Sequence, residues 1–270
     1  MNLYLLAIGL AVIAAFADVV GGCLTMMKKQ ASKQTLLYFT ALAAGFILSA
    51  AILDRVPEAM EKNPHGALYI LIGFLVLYLI ENLFSIHAHS QEEVESKAGY
   101  TEHGHSLVGR QICDGDCLIS PTASYAAIVG LVIHTFFDGV AIAAGFSMGI
   151  HTGVLMFLAV IFHKLPEGFS ASSLMLASDQ SRNVAFSSAV LLGISTIAGA
   201  VFAYFVSHGN ETIARVLLTL ATGSFLYIGA SDLIPATSAG RNKVSVLFVI
   251  LGVILFYISL KILEMAGFSV

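Results

Sequence analysis

Long apolar stretches separated by short polar joints dominate the sequence. Eight of these stretches contain about 20 mostly apolar residues, the length that an α-helix needs to cross the hydrocarbon core of a bilayer. They run near residues 3–26, 36–53, 66–86, 123–147, 151–177, 183–207, 212–234 and 244–265. Because the runs are continuous and do not alternate between apolar and polar residues, they predict helices. The predicted fold class is an all-α polytopic membrane protein with about eight transmembrane helices.

The composition supports this prediction and excludes several classes of protein. Of the 270 residues, 57% are hydrophobic and 11% are charged, whereas roughly 25% are charged in an ordinary soluble domain. A soluble globular enzyme with so few charges would expose large apolar patches to water. The formal net charge is −4 and there is no basic block, so we expect no nucleic-acid partner. The apolar spans predict that the lipid bilayer is the partner.

One joint is much longer and more polar than the others. We interpret the chain as a single transmembrane domain, 1–270, with a His-rich loop at about 88–121. Two His-x-His pairs and two cysteines mark this region: His87, His89, His103, His105, Cys113 and Cys117. The pattern fits a loop that captures metal ions, and it fits equally a loop that is only solvated.

The distribution of Lys and Arg predicts the orientation, because cytoplasmic loops carry an excess of these residues. With eight spans, both termini lie on one side of the membrane. That side carries Arg55, Lys62, Arg215 and Lys261, and the other side carries Lys28, Lys29, Lys33, Lys97, Arg110, Arg182, Arg241 and Lys243. The larger basic group favours termini outside and the long loop in the cytoplasm, which places the protein in the plasma (inner) membrane.

The first three and the last three spans share a pattern. "GFILSAAILDRVPEA" from Gly45 and "GSFLYIGASDLIPAT" from Gly223 both read Gly, eight residues, Asp, two residues, Pro. The spans that follow them each have Tyr five residues after Gly, at Gly73 and at Gly252. Corresponding spans are five apart and therefore cross in opposite directions. We expect a 3+2+3 inverted repeat, a construction common in transporters with a midplane substrate site.

The two central spans carry the candidate chemistry. The fourth contains His134 and Asp138 followed by Gly139, and the fifth contains His163 and Glu167 followed by Gly168. Side chains four residues apart lie on the same face of a helix. Two imidazoles and two carboxylates can therefore converge between neighbouring antiparallel helices. The two glycines have no side chain and allow close helix approach.

Carboxylates within a membrane are costly and mark functional sites. Nitrogen and carboxylate ligands suit zinc, iron(II), manganese or cobalt, and a divalent ion would satisfy both acids. We expect His134, Asp138, His163 and Glu167 to bind a divalent metal. The alternative is a pair of His–acid hydrogen bonds that hold the bundle together. Pro166, which lacks an N–H group, should leave the carbonyl oxygen of Phe162 without its helical partner and bend the helix.

The motifs "HTFFDGVAIAAGF" and "HKLPEG" resemble the fourth and fifth helices of the Zrt-/Irt-like (ZIP) divalent-metal transporters. The resemblance covers nearly the whole chain and includes "LDRVPEA" and "SDLIPA". It implies that the four residues named above line the transport site. It also implies an elevator-like alternating-access cycle and a homodimer, with the metal bound as substrate and no cofactor required.

The sequence departs from the two-metal pattern of that family. Thr135, Lys164 and Thr196 stand where the family has Asn, Asp and Glu, and none of the three is a good metal ligand. We therefore expect one metal at the centre, with the Lys164 ammonium in the place of a second cation. The alternative is that Lys164 extends towards a membrane interface.

Other polar residues receive weaker interpretations. Asp18, within the first span, either faces the pathway or hydrogen-bonds a neighbour. We expect capping and interface roles for Asp54, Glu58 and Asp232, and an interfacial position for Glu81. His65, His151 and His208 fall in short joints and should be exposed to solvent.

The leading hypothesis is transport of a divalent transition metal, with zinc first and iron(II), manganese or cadmium also accepted, into the cytoplasm. An alternative from another class is an intramembrane zinc-dependent hydrolase with a metal-bound water. A third is a proton-driven carrier of an organic solute. No HExxH motif occurs in the sequence, and an inverted repeat has no evident purpose in a hydrolase. The paired histidines favour a metal over an organic solute.

Overall fold

The apolar stretches fold as helices in the structure, a computed structural model that describes residues 3–26, 33–92, 121–207, 210–238 and 243–265. Within these ranges seven helices are long and apolar enough to cross a membrane, and Gly66–Ile80 is a shorter apolar part of a further helix. No strand occurs in the described ranges. The prediction of an all-α polytopic membrane protein is confirmed.

The helix bounds agree closely with the predicted spans. The helices are α1 Leu3–Met26, α2 Lys33–Ser49, α3 Val56–Lys62, α4 Gly66–Glu92, α5 Pro121–Met148, α6 Ile150–Ala177, α7 Arg182–Ser207, α8 Glu211–Tyr227, α9 Ile234–Ser238 and α10 Lys243–Met265. Residues 88–92, which the sequence assigned to the long loop, belong to α4. Residues 93–120 lie outside the described residues.

Two of the spans contain π-helical segments that the sequence did not predict. Ala50–Arg55 joins α2 to α3, and Ile228–Leu233 joins α8 to α9. A proline, Pro57 or Pro235, is the second residue of the helix that follows each segment. Proline lacks an N–H group and its ring crowds the preceding turn, and a wider π turn accommodates this without breaking the helix. The spans therefore continue beyond the boundaries expected at residues 53 and 234.

The helices pack in two groups. α1, α5, α6 and α7 contact one another extensively, whereas α2 pairs with α10 and α4 pairs with α8. Contacts of α2 with α6, and of α5 with α4 and α8, connect the two groups. Alanine is the commonest residue in the core, with a few large side chains such as Phe46, Phe146 and Phe225. Small residues let membrane helices approach closely, where van der Waals packing stabilises them.

Reciprocal pairs of glycines mark the closest helix contacts. At each glycine of a pair, an added Cβ atom would overlap a backbone carbonyl oxygen of the partner helix. The close approach that the sequence predicted at Gly139 and Gly168 is confirmed. The pairs are Gly21 with Gly168 between α1 and α6, Gly139 with Gly199 between α5 and α7, Gly45 with Gly252 between α2 and α10, and Gly73 with Gly223 between α4 and α8.

A single residue, Gly149, separates α5 from α6. Its φ of 138° lies in a region that side chains with a Cβ atom rarely adopt. The chain reverses direction there, so α5 and α6 lie side by side and antiparallel. This reversal brings the two His-x3-acid motifs to the same depth of the bundle.

Candidate metal centre

The two central motifs meet between α5 and α6. His134 and Asp138 lie one turn apart on α5, and His163 and Glu167 lie one turn apart on α6. One ligand atom from each of the four side chains lies within 4.8 Å of the others. All four residues are buried. The structure therefore brings together the whole residue set that the sequence singled out for metal binding.

The contacts within this cluster join nitrogen to oxygen across the two helices. His163 Nε2 lies 3.1 Å from Asp138 Oδ2 and 3.9 Å from Glu167 Oε2. His134 Nε2 lies 3.4 Å from Asp138 Oδ2 and 3.6 Å from Glu167 Oε1. The Nε2 atoms of both imidazoles and an oxygen of each carboxylate thus face a common centre.

A backbone contact orients one of the imidazoles. His163 Nδ1 lies 3.0 Å from the carbonyl oxygen of Ala159. A carbonyl oxygen only accepts hydrogen bonds, so Nδ1 carries the hydrogen. In the neutral ring Nε2 then has a free lone pair directed at Asp138, which is the arrangement of a metal-binding histidine whose other nitrogen is held by a backbone partner.

Lys164 is part of the same cluster. Its Nζ lies 2.8 Å from Asp138 Oδ2, 2.8 Å from Glu167 Oε2 and 3.4 Å from Asp18 Oδ2. The lysine side chain is 0% exposed. The alternative that Lys164 extends towards a membrane interface is therefore wrong, and its ammonium contacts two of the four candidate ligands.

Asp18 is a member of the site that sequence reasoning left undecided. α1 packs against α6 at Gly21 and Gly168, and this contact places the Asp18 carboxylate beside Lys164. Asp18 is fully buried. Asp18 has no histidine or second acid one helical turn away that would form a recognisable motif with it. The sequence therefore points to a function for Asp18 only through the cost of placing a charge within the membrane.

Thr135 and Thr196, which stand where the ZIP pattern has metal ligands, hydrogen-bond to the backbone of their own helices. Thr135 Oγ1 donates to the carbonyl oxygen of Val132 at 2.9 Å, and Thr196 Oγ1 donates to that of Leu192 at 3.2 Å. Such bonds satisfy a buried hydroxyl group without a ligand. Pro166 lies inside α6, and the helix continues through it from Ile150 to Ala177.

Comparison with known proteins identifies the family. A family model described as ZIP zinc transporter matches residues 1–260. The chain belongs to the ZIP zinc transporter family. Relatives include zinc transporter ZIP4 of Mus musculus, which is 24% identical over 256 residues that cover 76% of this chain and 39% of the mouse protein.

Two further relatives of this ZIP chain cover more of their own length. Zinc transporter zipt-7.1 of Caenorhabditis briggsae is 25% identical over 248 residues, which cover 76% of this chain and 63% of the relative. Metal cation symporter ZIP8 of Rattus norvegicus is 26% identical over 278 residues, with coverages of 81% and 59%. The chain spans less than two thirds of the length of these relatives.

The hydrolase alternative receives no support, because the matching family consists of transporters.

A second buried ionic group of this ZIP chain lies away from the centre. Arg55 NH2 is 2.6 Å from Asp54 Oδ2, and Arg55 also pairs with Glu58. The side chains of Arg55 and Asp54 are 2% and 5% exposed. Asp54 lies in the first π segment within a continuous helix, so its role is a buried ion pair and not a helix cap.

The remaining histidines divide between buried, exposed and undescribed positions. His151 was expected to be exposed, but α6 begins one residue before it and the bundle buries it. His65 is exposed as predicted. The predicted roles of the following residues fall outside the described residues or side chains: Glu81, His87, His89, His103, His105, Cys113, Cys117, His208 and Asp232.

Proposed function

We propose that this protein carries a divalent transition-metal ion, with zinc as the first candidate, across the membrane into the cytoplasm. The ion is the substrate, and one midplane site formed by His134, Asp138, His163 and Glu167 binds it. The convergence of these four buried ligands from two antiparallel helices carries the proposal. The names of the relatives support it, since ZIP4 is named a zinc transporter and ZIP8 a metal cation symporter.

The ligand chemistry supports a transition metal over calcium or magnesium. Two imidazoles and two carboxylates are a set that zinc accepts readily and that iron(II), manganese and cadmium also accept. Calcium and magnesium prefer ligand sets made of oxygen alone. When His163 is neutral with its hydrogen on Nδ1, Nε2 and Asp138 Oδ2 place two lone pairs 3.1 Å apart, and a metal ion between the four ligands removes this conflict.

The charges around the centre support binding of a single dication. Asp18, Asp138 and Glu167 contribute three negative charges, and the Lys164 ammonium contributes one positive charge. The buried group is then doubly negative, and one divalent ion neutralises it. A second dication would leave two uncompensated positive charges in a site of low dielectric constant, which costs several kcal/mol by order of magnitude.

An inverted repeat would supply the alternating access that transport requires. Exchange of spans one to three with spans six to eight converts the α1–α6 contact into the α7–α5 contact, and both contacts have a reciprocal glycine pair. The same exchange relates the two π segments Ala50–Arg55 and Ile228–Leu233. These correspondences support the proposed 3+2+3 repeat and an elevator-like movement of the central helices.

The proposal includes the arrangement of the protein in the membrane. Both termini lie outside, and the loop at about 88–121 lies in the cytoplasm, because the basic residues are more numerous on the loop side. We place the single domain in the plasma (inner) membrane. We also propose a homodimer, on the ground of family membership.

Uptake of radioactive zinc into sealed proteoliposomes tests the function. The wild type should give saturable uptake, and His134→Ala or Glu167→Ala should abolish it because each removes a ligand from the only proposed site. His65→Ala is the matched control, since His65 is exposed at the joint before α4. Wild-type uptake in either site variant would refute the site, and hydrolysis of added lipid without metal flux would favour the hydrolase.

A further inference from the structure

Lys164 contacts three carboxylates at unequal distances. Asp138 and Glu167 each lie 2.8 Å from its ammonium nitrogen, and Asp18 lies 3.4 Å away. The two nearer acids belong to the set of four candidate metal ligands, and Asp18 does not. The lysine thus has one carboxylate partner that a bound metal would not use.

A metal ion at the centre would compete with the ammonium for the same oxygen atoms. Asp138 Oδ2 and Glu167 Oε2 both face Lys164, and these oxygens are also among those closest to the imidazole nitrogens. Two cations that share these oxygens repel strongly in a buried site. A metal ion held by these two oxygens would displace the ammonium from them, and the displaced ammonium would need another negative charge beside it.

We propose that Asp18 is a positioning residue for metal binding, which receives the ammonium of Lys164 when a dication takes Asp138 and Glu167. The proposal rests on the proposed function of this site. Among the described residues, neither carboxylate oxygen of Asp18 has a closer hydrogen-bond partner. Its contact with Lys164 is 3.4 Å long. The carboxylate is therefore free to strengthen its contact with Lys164 as the contacts with the ligands weaken.

The charge of Asp18 also decides which ions the site accepts. With Asp18 ionised, the group of three acids and one lysine has a net charge of −2 and is neutral with a dication. Without that carboxylate, the same site with a dication has a net charge of +1 in the membrane interior, where an uncompensated charge is costly. Asp18 thus adapts a site that contains a lysine to a divalent substrate.

The rival role for Asp18 is structural attachment of α1 to α6. The close contact at this point joins Gly168 to the main-chain atoms of Asp18 and not to its carboxylate. Asp18→Asn preserves this backbone contact and nearly preserves the side-chain volume. The variant therefore separates the charge of Asp18 from its packing.

Isothermal titration of the purified full-length protein with Cd²⁺ tests the proposal. Asp18→Asn should weaken binding by about tenfold or more, the order expected when one of two net negative charges is removed from a buried site. Adding Lys164→Met should restore affinity to within about threefold of wild type, because the net charge returns to −2 and no ammonium needs a partner. Glu61→Gln, at an exposed position, should bind as the wild type does.

Two results would overturn the proposal. The first is wild-type affinity in Asp18→Asn, and the second is a double variant that binds as weakly as Asp18→Asn. If Asp18→Asn does not fold, the comparison of the wild type with the double variant decides, because both have a net site charge of −2. The proposal expects a difference below about threefold there, whereas a ligand or structural role for Asp18 predicts a loss of about tenfold or more.

The same titration separates this inference from the proposed function. His134→Ala removes a ligand and leaves the Lys164–Asp18 contact in place. Wild-type Cd²⁺ affinity in His134→Ala would refute the metal site itself. Loss of binding in His134→Ala together with wild-type affinity in Asp18→Asn would refute only the positioning role of Asp18.

Discussion

The ammonium nitrogen of Lys164 lies 2.8 Å from Oδ2 of Asp138, and both side chains are 0% exposed. The contact places a positive charge directly against one of the candidate metal ligands. A lysine in this position supplies charge without coordination, because an ammonium group has no lone pair. This relationship underlies the expected stoichiometry of the site.

The wild type should bind one divalent ion, and Lys164→Asp should bind two. The substitution changes the local charge by two units towards cation binding and adds a carboxylate ligand. Metal analysis of the purified protein, or anomalous diffraction at the zinc edge, counts the ions. Lys164→Met provides the control, because it removes the ammonium without adding a ligand. Two fully occupied metals that share Glu167 in the wild type would contradict the role assigned to Lys164.

Gly139→Ala should destabilise the protein, because the new methyl group would overlap the carbonyl oxygen of Thr196 on α7. Overpacking of this kind costs about 1–3 kcal/mol. Gly130→Ala is the control on the same helix, since no described atom of another helix lies within 4 Å of the position of its Cβ. Alanine has the higher helix propensity, so that control should be neutral or slightly stabilising. Thermal unfolding in detergent measures both, and equal midpoints would show that the helices separate without cost.

Arg55→Met should destabilise the protein strongly, because it leaves the buried Asp54 carboxylate without the cation that lies 2.6 Å from it. Removing one partner of a buried ion pair costs about 3–5 kcal/mol. Lys261→Met removes a partner of an exposed pair, in which the side chains are 48% and 37% exposed, and it should cause no measurable change. The same thermal assay compares the two variants. A stable Arg55→Met protein would show that water or side-chain movement compensates the Asp54 carboxylate.

Metal uptake should fall as the external pH is lowered. Histidine binds a metal through its neutral form and carboxylates bind through their ionised form, so protons compete directly with the metal. We expect the apparent affinity to decrease between about pH 7.5 and about pH 5.5, with protons released on binding. Titrations in two buffers of different ionisation enthalpy measure the number of protons released. Thermal unfolding over the same pH range distinguishes loss of binding from loss of the fold.

Most of the fold could be predicted from the sequence because the bilayer imposes a simple rule on it. Backbone groups in hydrocarbon must bond internally, so each long apolar run becomes a helix. The expected spans near 123–147 and 151–177 match α5 and α6 to within a few residues. The rule fails at Pro57 and Pro235, where a π segment lets a span continue past a residue that normally ends it.

The four candidate ligands could also be found from the sequence, since each His-x3-acid pair lies within one helix. Spacing along one helix determines which side chains share a face, and this placed His134 with Asp138 and His163 with Glu167. Because a single residue separates α5 from α6, the two helices lie side by side and their motifs face each other.

Contacts between distant segments were decided only by the tertiary structure. Nothing in the spacing relates Asp18 to Lys164, and their meeting depends on the α1–α6 packing at Gly21 and Gly168. The burial of His151 likewise follows from neighbouring helices that its own sequence does not specify. The sequence by itself determined the helices and the face on which each motif lies. Only packing decided where the buried charges meet, because a charge in a membrane is stabilised by partners on other helices.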